Sequence, residues 1–162
     1  MSTATAGSAA SAGPSPEKVA VLGAGSYGTA LACVLANNGH AVQLFCRSEA
    51  QRDAINMTRR NPKRFSDVEL PANITATSSV GDAVRDAVCV LHCVPAQHTP
   101  RFVRENAAVL TTGVPYVSTS KGVHVASHML MSDAIPEALG EHADRIPLAY
   151  LSGPSFAKEM VA

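Results

Sequence analysis

The sequence predicts an α/β fold with a doubly wound, mostly parallel sheet, and three observations predict it. Short β-branched runs alternate with stretches of helical period along most of the chain. Strands interleaved with helices require crossover connections, and crossovers make parallel neighbours. The first run, KVAVL at 18–22, passes straight into glycines spaced G-x-G-x-x-G that open a helix. Because crossovers are right-handed, that order winds helices onto both faces of one sheet, a Rossmann-like layout.

Each element has its own warrant. Residues 1–16, MSTATAGSAASAGPSP, are almost all Ala, Ser, Gly, Thr and Pro. They hold nothing that buries a core, so they read as a disordered tail before a folded unit at 17–162. The tail lacks the apolar stretch of a secretory signal. It is hydroxyl-rich and acid-free, as transit segments are, yet carries no Arg or Lys, which leaves a targeting remnant and a plain linker both open. After strand 18–22 the period changes at Ser26. Tyr27, Ala30, Leu31, Val34 and Leu35 share one helical face. Gly39, after Asn37 and Asn38, is placed as the glycine beyond the helix end. AVQLFC (41–46) is the second strand. Ser48 opens the next helix, and Gln51 is spaced to complete a capping box. NITAT (73–77), VCVLHCV (88–94), PYVST (115–119) and PLAYLS (147–152) read as strands, with helices near 79–86, 98–110 and 126–139. There is no internal repeat.

Composition removes several function classes. Thirteen Lys and Arg balance thirteen Asp and Glu, so net charge offers no attraction to nucleic acid or an anionic membrane. No apolar run approaches the roughly 20 residues of a membrane span. Cys33, Cys46, Cys89 and Cys93 lie in apolar stretches without C-x-x-C spacing. They read as small buried hydrophobes in a reducing compartment rather than as disulfides. Cys89, His92, Cys93 and His98 would need two cysteines of a buried strand to hold a metal, so no metal ligand is assigned. Ser120, His124 and Asp133 lack a nucleophile elbow. RRNPKRF (59–65) groups cations around a turn-forming Asn-Pro and reads as a solvated loop.

The glycines of VLGAGSYGTAL (21–31) carry the chemistry. Gly23 turns the chain tightly out of the strand. Gly25 lacks a Cβ, which lets a pyrophosphate approach the backbone. Gly28 lets helix and strand pack closely. The helix start then offers free N–H groups and a positive dipole end to the anion. An acid at the tip of the second strand would accept from the ribose 2′-hydroxyl of NAD. Here the tip is Arg47-Ser48. A guanidinium and a hydroxyl suit a 2′-phosphate, which favours NADP, while Glu49 next door keeps NAD open.

Four motifs, GAGSYGTALA, LPANITAT, VSTSKGV and LSGPSFAKE, together resemble NAD(P)-dependent glycerol-3-phosphate dehydrogenase, and they span residues 23–159 in that family's order. The resemblance covers the family's N-terminal, dinucleotide-binding domain. It implies that a C-terminal helical domain, missing from these 162 residues, follows and closes the substrate site. It implies reversible hydride transfer between NAD(P)H and dihydroxyacetone phosphate, giving sn-glycerol 3-phosphate for glycerolipid synthesis. It matches Ser26 and Tyr27 to positions touching the cofactor phosphates, and Arg47 to the second-strand tip. Lys121 matches a lysine near both cofactor and substrate. Gly153 and Ser155 match the substrate side of the final turn, and Ala157 a cofactor contact. His98, counted with the cofactor residues, stands where many relatives carry Phe, a departure that weakens any aromatic contact there. No catalytic residue is expected in this segment, because the family's general acid/base is a lysine of the missing domain. The segment alone should bind dinucleotide without turnover. The full-length protein is expected to be a cytoplasmic homodimer, with a plastid or another organelle as the alternative compartment.

Two other readings stay open at this point. One is the Rossmann domain of another two-domain dehydrogenase, acting on a 3-hydroxy acid or a sugar acid. SKGV and GPSFA together argue against it. The other is a non-catalytic module sensing dinucleotide state, which would need neither Lys121 nor the final turn.

Overall fold

The computed structural model describes residues 16–161. The tail expected at 1–16 therefore lies outside the described residues, apart from Pro16. The strands are β1 (Lys18–Leu22), β2 (Ala41–Phe45), β3 (Ile74–Thr77), β4 (Cys89–His92), β5 (Tyr116–Ser118), β6 (Val123–His124), β7 (Met129–Leu130) and β8 (Leu148–Tyr150). The α-helices are α1 (Ser26–Asn37), α2 (Glu49–Thr58), α3 (Val80–Val84), α4 (Thr99–Asn106), α5 (Met131–Leu139) and α6 (Ala157–Met160).

Six strands form one sheet in the order β3-β2-β1-β4-β5-β8, and every pairing in it is parallel. The order reverses between β1 and β4. Doubly wound sheets open a crevice at that point, outside the carboxyl ends of the strands. Strand alternation sends neighbouring residues of β1 into opposite cores. Val19 and Val21 join α1, α2 and Leu44 on one face. Ala20 and Leu22 join α3, α4 and α5 on the other. Both faces are covered, which is why these strands are apolar throughout.

Local signals account for most boundaries. Gly39 takes φ 91. Its N–H donates to Ala36 O and that of His40 to Leu35 O, at 3.0 and 3.2 Å, the paired bonds that close a helix on a left-handed glycine. Ser48 Oγ accepts from Gln51 N at 3.4 Å, starting α2.

The structure corrects three expectations. The capping box is only half made. Gln51 does not reach back to Ser48; its buried amide donates to Ala24 O and Asn61 Oδ1 instead. The helix expected over 98–110 is a shorter α4 flanked by 3-10 turns at Ala96–His98 and Ala107–Val109. The helix expected from 126 begins at Met131. Before it, β6 and β7 form an antiparallel hairpin, whose turn places His128 at φ 57 and bonds His124 Nδ1 to Ser127 Oγ at 2.8 Å. Pro136 sits inside α5. It cannot donate to Ser132 O, and that carbonyl lies 3.5 Å from the Tyr150 hydroxyl. Among the described residues no helix is long and apolar enough to cross a membrane.

Candidate functional site

A cleft of roughly 830 Å³ opens at the carboxyl ends of β1, β2 and β4. Its floor is the turn Gly23-Ala24-Gly25. One wall is the end of β2 with Cys46, Arg47 and Ser48. The opposite wall comes from the segment after β4, Val94-Pro95 and His98, and from α4.

The three glycines have distinct reasons in the fold. Gly23 takes φ 126, and a Cβ there would lie 2.7 Å from Cys93 O. Gly28 is tighter still, since a Cβ would stand 1.9 Å from Gly23 O. Both contacts are with backbone, which cannot rotate away. A Cβ on Gly25 would meet nothing within 4 Å. Nothing inside the protein demands a glycine there. The open side lies on the cleft floor, where a ligand backbone can approach. Gly25 also precedes α1, which has no side-chain cap and no acid in its first turn. The first N–H groups of α1 and its positive end are therefore available to an anion. The open side of Gly25 and the uncapped start of α1 fit the diphosphate of a dinucleotide.

Buried amides that spacing did not reveal hold this turn in place. Asn61 is fully buried. Its Nδ2 donates to Ala24 O at 3.1 Å and to Thr29 Oγ1 at 2.8 Å. Its Oδ1 accepts from Gln51 Nε2 at 2.9 Å and from Lys63 N at 3.1 Å. The RRNPKRF segment is thus more than a solvated loop. Its asparagine is part of the glycine turn's support, and Lys63 and Arg64, both exposed, line the cleft. An Asn followed by Pro in a cation-rich run was the available signal, and it reads as a turn because burial is not written in sequence.

Behind the far wall, His92 is buried between two hydroxyls. Tyr116 Oη lies 2.7 Å from Nδ1, and Thr99 Oγ1 lies 2.9 Å from Nε2. Burial lowers the His92 pKa to about 3, so the ring is neutral. Thr99 donates to the carbonyl side of the turn, 3.2 Å from Pro95 O, which leaves its oxygen to accept from Nε2–H, while Tyr116 donates to Nδ1. Burial also pushes the Cys93 thiol up to about 11, so it is uncharged beside the glycines. Among the described residues no three His, Cys, Asp or Glu side chains are grouped to hold a metal ion.

The expected site residues fall into two groups. Gly23, Gly25, Arg47 and His98 border the cleft. Ser26 opens α1 beside it, and Gly28 is buried beneath it. Tyr27, Lys121, Gly153 and Ser155 gather on the other side of the α1 start. The Tyr27 hydroxyl lies 3.1 Å from Ser155 Oγ. Lys121 Nζ donates to Gly153 O at 2.6 Å and stands 5.9 Å from the Tyr27 ring centre. Ala157 begins α6, whose Met160 packs against the core on the α1 face. Lys121 is held at the sheet's carboxyl edge by cross-ties just before it. Thr119 Oγ1 donates to His92 O at 3.0 Å and Ser120 Oγ to Val94 O at 2.6 Å.

Comparison with known proteins agrees with this architecture. The family described as NAD-dependent glycerol-3-phosphate dehydrogenase N-terminus matches residues 18–162. A glycerol-3-phosphate dehydrogenase [NAD(P)+] of Streptomyces coelicolor is 41% identical over 91% of this chain and 43% of its own length. That of Parafrankia sp. is 43% identical over 88% of this chain and 42% of its own. The crystal structure of glycerol-3-phosphate dehydrogenase from Coxiella burnetii superposes with a TM-score of 0.78 at 25% identity, covering 91% of this chain and 44% of that one. The chain thus spans less than half the length of the relatives it matches. With the glycine turn, the strand order and the match over residues 18–162 in agreement, the chain belongs to the family of N-terminal domains of NAD-dependent glycerol-3-phosphate dehydrogenases.

Proposed function

We propose that the chain is the dinucleotide-binding part of an enzyme that interconverts dihydroxyacetone phosphate and sn-glycerol 3-phosphate with NAD(P)H, supplying glycerolipid synthesis. The observation that carries this reading is the open side of Gly25 at an uncapped helix start, between two glycines that the fold itself demands. Gly23, Gly25, Ser26, Tyr27 and Gly28 form or support the diphosphate cradle. Arg47 and His98 belong to the walls that take the adenosine end, and Ala157 to the nicotinamide side. Reduced nicotinamide, when bound, supplies the hydride. Lys121, Gly153 and Ser155 make up the substrate side of the domain. The bond from Lys121 to Gly153 O orients the ammonium at the sheet edge. There it stabilises the alkoxide that forms as the carbonyl is reduced, an effect strongest where water is excluded. The proton is supplied from outside residues 1–162. The folded unit is 17–162, and the full-length protein works as a cytoplasmic homodimer on small molecules.

The test is Lys121→Ala in the complete protein. Triose-phosphate reduction should fall by about 10²–10³-fold, the loss expected for one charge-stabilising donor, while coenzyme titration still saturates. Activity within a few-fold of the unaltered protein overturns the assignment.

A further inference from the structure

The cleft's cations are unevenly compensated. Arg47, Lys63, Arg64 and Arg101 all line it, and Glu105 is the one carboxylate among the lining residues. Glu105 is already engaged, accepting from Arg101 Nε at 2.7 Å. Glu49, the neighbouring acid at the start of α2, pairs with Arg52 at 3.5 Å. Among the described residues no carboxylate lies within ion-pair distance of Arg47, Lys63 or Arg64. Outside the cleft Arg52, Arg59 and Arg85 have acidic partners, while Lys18, Arg60, Arg104, Lys121, Arg145 and Lys158 stand singly rather than grouped about one cavity. In a chain with equal numbers of acids and bases, three uncompensated cations bordering one cleft form a local anion site.

Their placement is built into the fold. Arg47 lies two residues past the end of β2, where a doubly wound sheet meets the adenosine ribose. Lys63 and Arg64 come from a separate loop. That loop is anchored by Asn61, whose Oδ1 accepts from Lys63 N at 3.1 Å. The same amide holds Ala24 O of the glycine turn. Arg64 N donates to Asn61 O at 3.1 Å, and its guanidinium to Lys63 O at 2.8 Å. The loop bearing both cations is therefore fastened to the turn that cradles the diphosphate.

We infer that Lys63 and Arg64 act with Arg47 as a clamp for a dianionic phosphate on the adenosine ribose, and so determine selectivity for NADPH over NADH. This rests on the dinucleotide reading above and deepens it. A ribose bearing only a 2′-hydroxyl gives these cations nothing to neutralise. A 2′-phosphate offers acceptor oxygens to a forked guanidinium and to an ammonium, in charge-assisted bonds.

The test is titration of the complete protein with NADPH and NADH, unaltered and as Lys63→Gln, Arg64→Gln and the double variant. The double variant should bind NADPH about tenfold or more weakly, since hydrogen bonds to charged groups are lost. Its NADH affinity should move by less than about twofold, and added salt should weaken NADPH binding less steeply than in the unaltered protein. A second measurement needs no variant. Adenosine 2′,5′-bisphosphate should displace NADPH from the unaltered protein about tenfold better than adenosine 5′-monophosphate. Equal competition by the two nucleotides overturns the clamp, as does parallel weakening of both coenzymes in the double variant. Either result leaves the dinucleotide site standing. Failure of the unaltered protein to bind NADPH or NADH overturns the dinucleotide reading itself.

Discussion

Asn61→Ala is the sharpest perturbation of the glycine turn that leaves every glycine in place. The Asn61 side chain makes four hydrogen bonds from a fully buried position. Their loss is unequal. Ala24 O keeps the Gln51 amide as a donor at 3.1 Å, and the Lys63 N–H belongs to an exposed residue and is only part-buried, so water can replace its partner. Two groups are orphaned. Thr29 is fully buried and loses the partner of its hydroxyl, and one N–H of the buried Gln51 amide loses its acceptor. At about 1–3 kcal/mol for each unsatisfied buried group, the variant should lose about 3 kcal/mol. For a domain of this size that lowers Tm by about 6–12 °C. Thermal and urea unfolding followed by circular dichroism measure it, with an unchanged urea slope marking a change in stability alone. Thr29→Val provides the control. In the Asn61→Ala background it should cost less than in the unaltered protein, because the hydroxyl it removes is already unpaired. A loss below about 1 kcal/mol for Asn61→Ala, or strict additivity with Thr29→Val, refutes the buttress, since buried orphans cannot be that cheap.

Two more predictions come from the same neighbourhood. Gly28→Ala drives a methyl to 1.9 Å from Gly23 O; it should destabilise by about 1–3 kcal/mol or more and abolish coenzyme binding, and a variant that binds NADPH normally would refute the tight-packing role. His92 is held at a pKa of about 3 by burial, against 6.5 for a free imidazole, so the unfolded chain takes up the proton first: its contribution to stability is complete above pH 6.5 and is lost as pH falls from there toward 3, by up to about 1.4 kcal/mol per pH unit. His92→Gln should flatten the acid-side fall of the urea midpoint, and an unchanged slope would refute the assignment.

The elements legible in sequence are those whose signals are local. KVAVL followed by the glycine spacing marks β1, the turn and α1 without reference to the rest of the chain. Gly39 and Ser48 mark helix ends through backbone geometry and a three-residue hydrogen bond. Alternation of strands and helices then leaves the parallel, doubly wound sheet as the economical arrangement, because crossovers have one favoured hand. The hairpin at 123–130 escaped that logic. Its two-residue strands carry too few positions to show a period, and the apolar spacing of α5 runs on into them.

The sequence alone determined where the strand, glycine turn and helix of the first unit lie and that its strands are apolar almost throughout, since both follow from residues close together in the chain. Only the tertiary structure decided what supports the glycine turn and which cations border the cleft above it. Asn61 stands 37 residues from Ala24, and nothing local tells a surface asparagine from one that holds a turn. Lys63 and Arg64 likewise read as solvated cations until the sheet brings their loop against the end of β2. Folding places them there because a buried amide must find its hydrogen-bond partners wherever in the chain they lie.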